Sequence, residues 1–231
     1  MNPSIWIYGG VHHDPGSRRR FLEELAKQET TPYFVAVEWE QSVFERFTAC
    51  RPLIEEGLTS RWDFLTPEDC HQLSLALAWE GDAYQERFPD TDPLWLESGF
   101  QEEGLKERYG TGAGKFPENC ARRLLERLRD PCRPIFQFTD NAEPPPEPRS
   151  KKDLIDCVWK KAWSEAFEES GDFERDARWA NAIRERSAGL RDGWIAVVVG
   201  WAHADPAGEK QRLRGLLSSK GLDVISVHLG P

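Results

Sequence analysis

This 231-residue chain has no C-x-x-C pair, no long apolar run and no extended basic stretch, and each absence removes a class of protein. The five cysteines, Cys50, Cys70, Cys120, Cys132 and Cys157, are scattered. That pattern argues against both a zinc knuckle and a disulfide framework, so reduced thiols are expected. The first apolar run, Ile5 to Tyr8, is too short for a signal-peptide core, and no stretch approaches membrane-spanning length. The expectation is a cytoplasmic protein with no membrane partner. The basic runs, such as Arg18-Arg19-Arg20 and Lys151-Lys152, are short and followed by acidic residues, and the formal net charge is -10, so nucleic acid is not an expected partner.

What is present suits one large core. A hydrophobic content of 39% over this length predicts a single domain spanning 1–231. Ile5-Trp6-Ile7-Tyr8, stopped by Gly9-Gly10, and Phe34-Val35-Ala36-Val37, ending at Glu38, read as buried strands. Between them Phe21, Leu22 and Leu25 recur at helical spacing over Arg18 to Lys27, with Ser17 as a cap. Two short apolar strands joined by a covering helix predict a parallel pair. The same pattern returns at the end, with a strand at Trp194 to Val199, a helix at about Glu209 to Lys220 and a strand at Val224 to Val227.

The centre is expected to be mostly helical. Thr66-Pro67-Glu68-Asp69 opens a helix expected to run through Leu73, Leu77 and Trp79. Further helices are predicted at Glu118 to Arg129, Lys152 to Glu169 and Phe173 to Arg186, with a strand near Ile135 to Phe138 and a stiff connection at Pro144-Pro145-Pro146. The fold class is therefore α/β, a mostly parallel central sheet flanked by helices, with a helical insertion over about 50–190. Trp62, Trp79, Trp95, Trp159 and Trp163 fall in that insertion. They could line a substrate pocket, although the one-turn spacing of Trp159 and Trp163 also suits a core-facing stripe. Tyr109 to Phe116 is glycine-rich but fails as a phosphate loop, since Phe116 stands where a hydroxyl residue is needed and no strand leads into it.

An internal repeat carries the functional signal. Gly9-Gly10-Val11-His12-His13-Asp14-Pro15 and Gly200-Trp201-Ala202-His203-Ala204-Asp205-Pro206 share the pattern G-x-x-H-x-D-P, each after an apolar strand and before a helix. Glu38 follows His12 by 26 residues and His228 follows His203 by 25, each closing the next strand. In open parallel sheets, ligands bind outside the carboxyl ends of the strands, so His12, Glu38, His203 and His228 could converge in one crevice. Gly9 and Gly200 would let the backbone turn and approach a ligand. Two imidazoles with carboxylates form a common divalent-metal set, in which His13 could be an auxiliary ligand or a solvent contact. Glu40 competes with Glu38 as the acidic group. Asp14 and Asp205 could cap the following helices or fix a ring tautomer.

The opening Gly-x-x-His, the strand ending in Glu38, Glu174-Arg175-Asp176 with Trp179-Ala180, and Val197-Val198-Val199-Gly200-Trp201-Ala202-His203 together resemble the TraB/PrgY/GumN (TIKI-like) family. Its wider relatives include erythromycin esterases and ChaN-like haem-binding proteins. The resemblance spans roughly the first 40 and last 60 residues. It implies a divalent-metal-dependent hydrolase of peptide, amide or ester bonds acting on a small-molecule or peptide substrate. His12, Glu38 and His203 would be its site residues, with Mn, Co or Zn as the ion and Arg175 as a charge-stabilising or positioning group. A surface pair of Arg175 with Glu168 or Glu169 is the structural alternative. Two further readings stay open on the same scaffold: a binding protein for haem or another small ligand, and a metal-free enzyme with His12 as base.

Overall fold

An unbroken apolar run is what a strand covered on both faces requires, and Trp194–Gly200 meets that need with every residue buried. In the computed structural model, which describes residues 2–97, 147–159, 173–208 and 210–230, this strand lies at the centre of the sheet. The strands are β1 (Ser4–Gly10), β2 (Val35–Val37), β3 (Pro93–Trp95), β4 (Trp194–Gly200) and β5 (Val224–His228). They form a five-stranded sheet of order β3-β2-β4-β1-β5, parallel at every pairing. The short edge strand β3 was not foreseen from the sequence; its proline is tolerated because it opens a strand at the sheet margin.

Alternate residues of the central strands serve two cores. Ile5, Ile7, Ile195, Val197 and Val199 pack with Trp179, Ile183, Leu213 and Leu217 on one face. Tyr8, Ala196 and Val198 pack with Phe21, Leu25, Trp79 and Tyr84 on the other. Each such fully buried aliphatic side chain contributes roughly 1.5–3 kcal/mol. Helix α1 (Pro15–Leu25) supplies Phe21 and Leu25 to the second core. Helix α2 (Gln41–Ala49), helix α3 (Arg51–Arg61) and helix α4 (Pro67–Leu75) follow β2. The first core receives its helical side chains from α5 (Phe173–Ser187), from α6 (Trp201–Ala204), a single turn after β4 that contributes Ala204, and from α7 (Leu213–Ser218). The architecture is α/β, a parallel sheet flanked by helices, as the sequence pattern implies.

Caps explain several boundaries. Asp14 accepts the Ser17 backbone N–H at 2.8 Å and the Ser17 hydroxyl at 3.0 Å, with Pro15 in the first turn, so α1 begins three residues before the expected start. Thr66 and Asp69 form a reciprocal capping box for α4. That helix stops at Leu75 instead of running to Trp79, because Ala78 takes a left-handed conformation (φ 51°) and Trp79–Gly81 forms a separate 3-10 turn. The last helix is shorter than expected and begins at Leu213. Near Ser150, a short helical turn at Lys151–Asp153 continues as a π-helical segment, Leu154–Trp159.

Two expected neighbour relations are corrected. β1 and β2 share the sheet but do not pair, because β4 is inserted between them, and β4 and β5 do not pair, because β1 is inserted between them. The helix at 118–129, the strand near 135–138, the 109–116 loop, the proline run at 144–146, most of the helix expected to 169 and Trp163 lie outside the described residues. The chain divides into two compact units, Met1–Phe44 with Ala78–Glu103 and Ser170–Pro231, and Glu45–Leu77 with Gly104–Glu169. No helix of the described residues is long and apolar enough to cross a membrane.

Candidate functional site

The parallel sheet brings its carboxyl ends to one edge, and the site is built there within the first unit. Gly10 pairs with Gly200, so the chain leaves β1 and β4 side by side. A side chain on Gly9 would sit 2.6 Å from both the Ala204 Cβ and the Trp201 Cε3. Glycine at that position therefore lets α6 close onto β1. Gly200 serves the site directly through its backbone N–H, which donates to Glu38 Oε2 at 2.6 Å.

Glu38 is the hub. It follows β2 directly, and its own N–H continues the ladder to the Val198 carbonyl at 3.1 Å. Its carboxylate is buried, with Oε2 3.6 Å from His12 Nε2, and Oε1 3.6 Å from His203 Nε2 and 3.2 Å from Arg175 Nη2. Burial raises the pKa of such a group. Here that effect is outweighed by His203, His12 and Arg175 and by the Gly200 N–H, which together bring it down to about 2. Glu38 is thus a fixed negative charge at neutral pH and has no proton to exchange.

The two histidines sit in different surroundings. His203 is wholly buried, with Nδ1 2.6 Å from Asp176 Oδ1 and Nε2 2.8 Å from Arg175 Nη2. A guanidinium can only donate, so Nε2 accepts and the ring proton lies on Nδ1, directed at Asp176. Asp176 Oδ2 also accepts the Leu213 N–H at 3.0 Å, tying the start of α7 to the site. His12 borders solvent with its side chain 17% exposed. Its Nδ1 lies 2.7 Å from Glu80 Oε1, while Glu80 Oε2 accepts the Trp39 indole N–H at 3.3 Å. A carboxylate accepts, so Nδ1 carries the His12 proton and Nε2 presents its lone pair.

Arg175 reaches this cluster and so does more than make a surface pair. It contacts Glu38 and His203, lies 3.5 Å from Glu97 Oε1 through Nε, and stacks its guanidinium 4.7 Å over the Trp179 ring. Arg175 and Trp179 are one turn apart on α5, which accounts for the stacking. Trp179 in turn flanks the His203 ring at 4.9 Å.

The remaining predicted residues stand aside. His13 is buried, and its Nδ1 accepts the Ala78 N–H at 3.2 Å. His228 ends β5 and stacks on Trp201 at 4.0 Å, away from Glu38. Asp205 accepts the Ala207 N–H at 2.8 Å in a turn and caps no helix, since α7 begins later with Arg212 at its N-cap. Glu40 accepts the Ser42 hydroxyl at the exposed start of α2.

Sequence reasoning missed Glu80, Glu97 and Trp39, and assigned no role to Asp176. Glu97 lies just past β3 as Glu38 lies just past β2, a signal hidden because a three-residue strand opened by proline does not read as one. Glu80 left no periodic signal, because it stands in a 3-10 turn where a helix was expected.

A divalent ion does not fit these residues as arranged. Among the described residues no group of three or more His, Cys, Asp and Glu side chains could hold a metal ion. The Arg175 guanidinium already fills the position between Glu38 and His203 that a shared cation would take, and both ring nitrogens of His203 are engaged. Among known proteins, no family model, curated protein or solved structure matches the chain.

Proposed function

We propose that this chain is a hydrolase of ester, amide or peptide bonds that works by acid-base catalysis without a metal ion. The observation that carries the reading is the His12–Glu80 pair: a solvent-bordering imidazole whose Nδ1 is 2.7 Å from a buried carboxylate, leaving Nε2 as the base. Such a pair orients the ring and favours the imidazolium formed when a proton is taken up. His12 Nε2 removes a proton from water as the oxygen adds to the substrate carbonyl. Arg175, 25% exposed, faces the negative charge that develops there. His12 then returns its proton to the leaving oxygen or nitrogen.

Glu38 stabilises the His12 imidazolium from 3.6 Å and aligns Arg175, while Asp176 and His203 hold Arg175 from behind. Metal-free acid-base chemistry with His12 as base is what the esterases among the wider relatives of the TraB-like family suggest. The substrate is a small molecule or peptide. The cytoplasm is its place of action, in keeping with scattered cysteines that form no C-x-x-C pair.

The test is a screen of ester, amide and peptide substrates with protein stripped by chelator and checked by elemental analysis. Turnover should survive stripping and fall by about 10²–10⁴-fold in His12→Ala. Turnover lost on chelation and restored by Mn, Co or Zn would overturn the metal-free mechanism. A visible absorption band on haem titration, with no substrate turned over, would favour a ligand-binding protein.

A further inference from the structure

We propose that His13 is a positioning residue that holds Glu80 against His12 by capping the backbone of Ala78. Two non-glycine residues here adopt left-handed backbone, His13 at φ 55° and Ala78 at φ 51°, and they meet: the Ala78 N–H donates to His13 Nδ1 at 3.2 Å. Both are buried. Left-handed backbone costs roughly 1–2 kcal/mol at such residues and persists only where the surroundings hold it.

Ala78 is the residue from which the Trp79–Gly81 turn starts, with the Gly81 N–H returning to the Ala78 carbonyl at 3.1 Å. Glu80 projects from that turn. Three contacts join it to the loop after β1: Ala78 to His13, the Trp79 indole N–H to the Val11 carbonyl at 3.3 Å, and Glu80 to His12 at 2.7 Å. The loop itself is anchored to α1 through the Val11 N–H and the Ser17 hydroxyl at 3.1 Å. Of these three contacts the His13 one is made to the main chain of the turn, at the Leu77–Ala78 peptide whose carbonyl accepts from Arg51 Nε at 3.1 Å. It therefore helps to set where the Glu80 carboxylate can reach. Since Nδ1 accepts, the ring acts as a neutral cap, a task distinct from that of its neighbour His12.

The consequence for turnover rests on the acid-base reading above, whereas the geometry is measurable without any substrate. The probes are the indole N–H signals of Trp39 and Trp79 and the exchange rate of the Ala78 amide, recorded by NMR on the full chain. His13→Ala should shift both indole signals and speed Ala78 exchange by about tenfold or more. His13→Asn should keep all three near wild type, because its side-chain oxygen can replace Nδ1 as acceptor and Asn tolerates the left-handed region.

With an active substrate, His13→Ala should lower kcat by about 10- to 100-fold with KM little changed, and His13→Asn should recover most of it. Unchanged indole signals and Ala78 exchange in His13→Ala would overturn the proposal, as would a His13→Asn variant that behaves like His13→Ala. Should His13→Ala fail to fold, His13→Asn is compared with His13→Gln, whose acceptor reaches one bond too far. Displaced indole signals in the Gln variant alone support the proposal, and identical spectra for the two overturn it. If no substrate is ever turned over, the hydrolase reading fails while these NMR outcomes stand.

Discussion

Gly10 pairs with Gly200 across β1 and β4, one residue out of step with the motif alignment, which matches Gly9 to Gly200. Counted from the paired glycines, His12 comes second and His203 third. In extended chain, a one-residue offset turns a side chain to the opposite face. Here it accompanies different local structure, a left-handed loop after β1 and a helical turn after β4. Two copies of one motif thus yield an imidazole at the solvent border and an imidazole sealed inside, with Glu38 between them.

The two histidines should therefore respond differently to removal. His203→Ala leaves the Asp176 carboxylate fully buried with its ring partner gone, and should cost about 3 kcal/mol of stability. His12→Ala opens a space that water can enter beside Glu80, and should cost about 1 kcal/mol while lowering turnover by about 10²–10⁴-fold. Urea denaturation of both variants checks this. Equal losses would contradict the asymmetry.

Glu38 should make stability depend on acid in a defined window. Its pKa is lowered from 4.5 to about 2 in the folded chain, so the stabilisation is fully present above pH 4.5 and is lost as pH falls through about 2. Glu38→Gln keeps the shape and removes the charge. Its deficit against wild type, measured by denaturant titration, should be largest above pH 4.5 and shrink toward pH 2. A deficit that does not change with pH would assign the loss to packing instead.

Asp14 and Asp205 occupy the same place in the repeat but should differ on substitution. Asp14→Ala removes the cap of α1 and should cost about 1 kcal/mol, seen as a lower Tm. Asp205→Ala loses one bond in a turn bordering solvent and should stay within about 0.5 kcal/mol of wild type. Comparable losses at both would mean that Asp205 carries more than its turn.

The strands after which the motifs fall and the Thr66 capping box were legible in the chain, set by continuous apolar runs and by hydrogen-bonding side chains at a helix start. Arg175 was marked through the family resemblance, and Asp176 beside it carried no assigned role. The α/β class followed from strands alternating with helices. Strand order did not, and nor did the insertion of β4 between β1 and β2, because which strands pair is decided by contacts between segments more than 150 residues apart. The same holds for Glu80. Nothing near it in sequence marks it as a partner of His12, 68 residues away, and it becomes one only because Ala78 leaves the helical path and turns the chain back toward the end of β1. Local sequence thus determined the candidate groups and the ends of the strands that carry them. Long-range packing alone decided that one histidine would meet solvent, that the other would be buried against Asp176, and that a guanidinium would stand between Glu38 and His203.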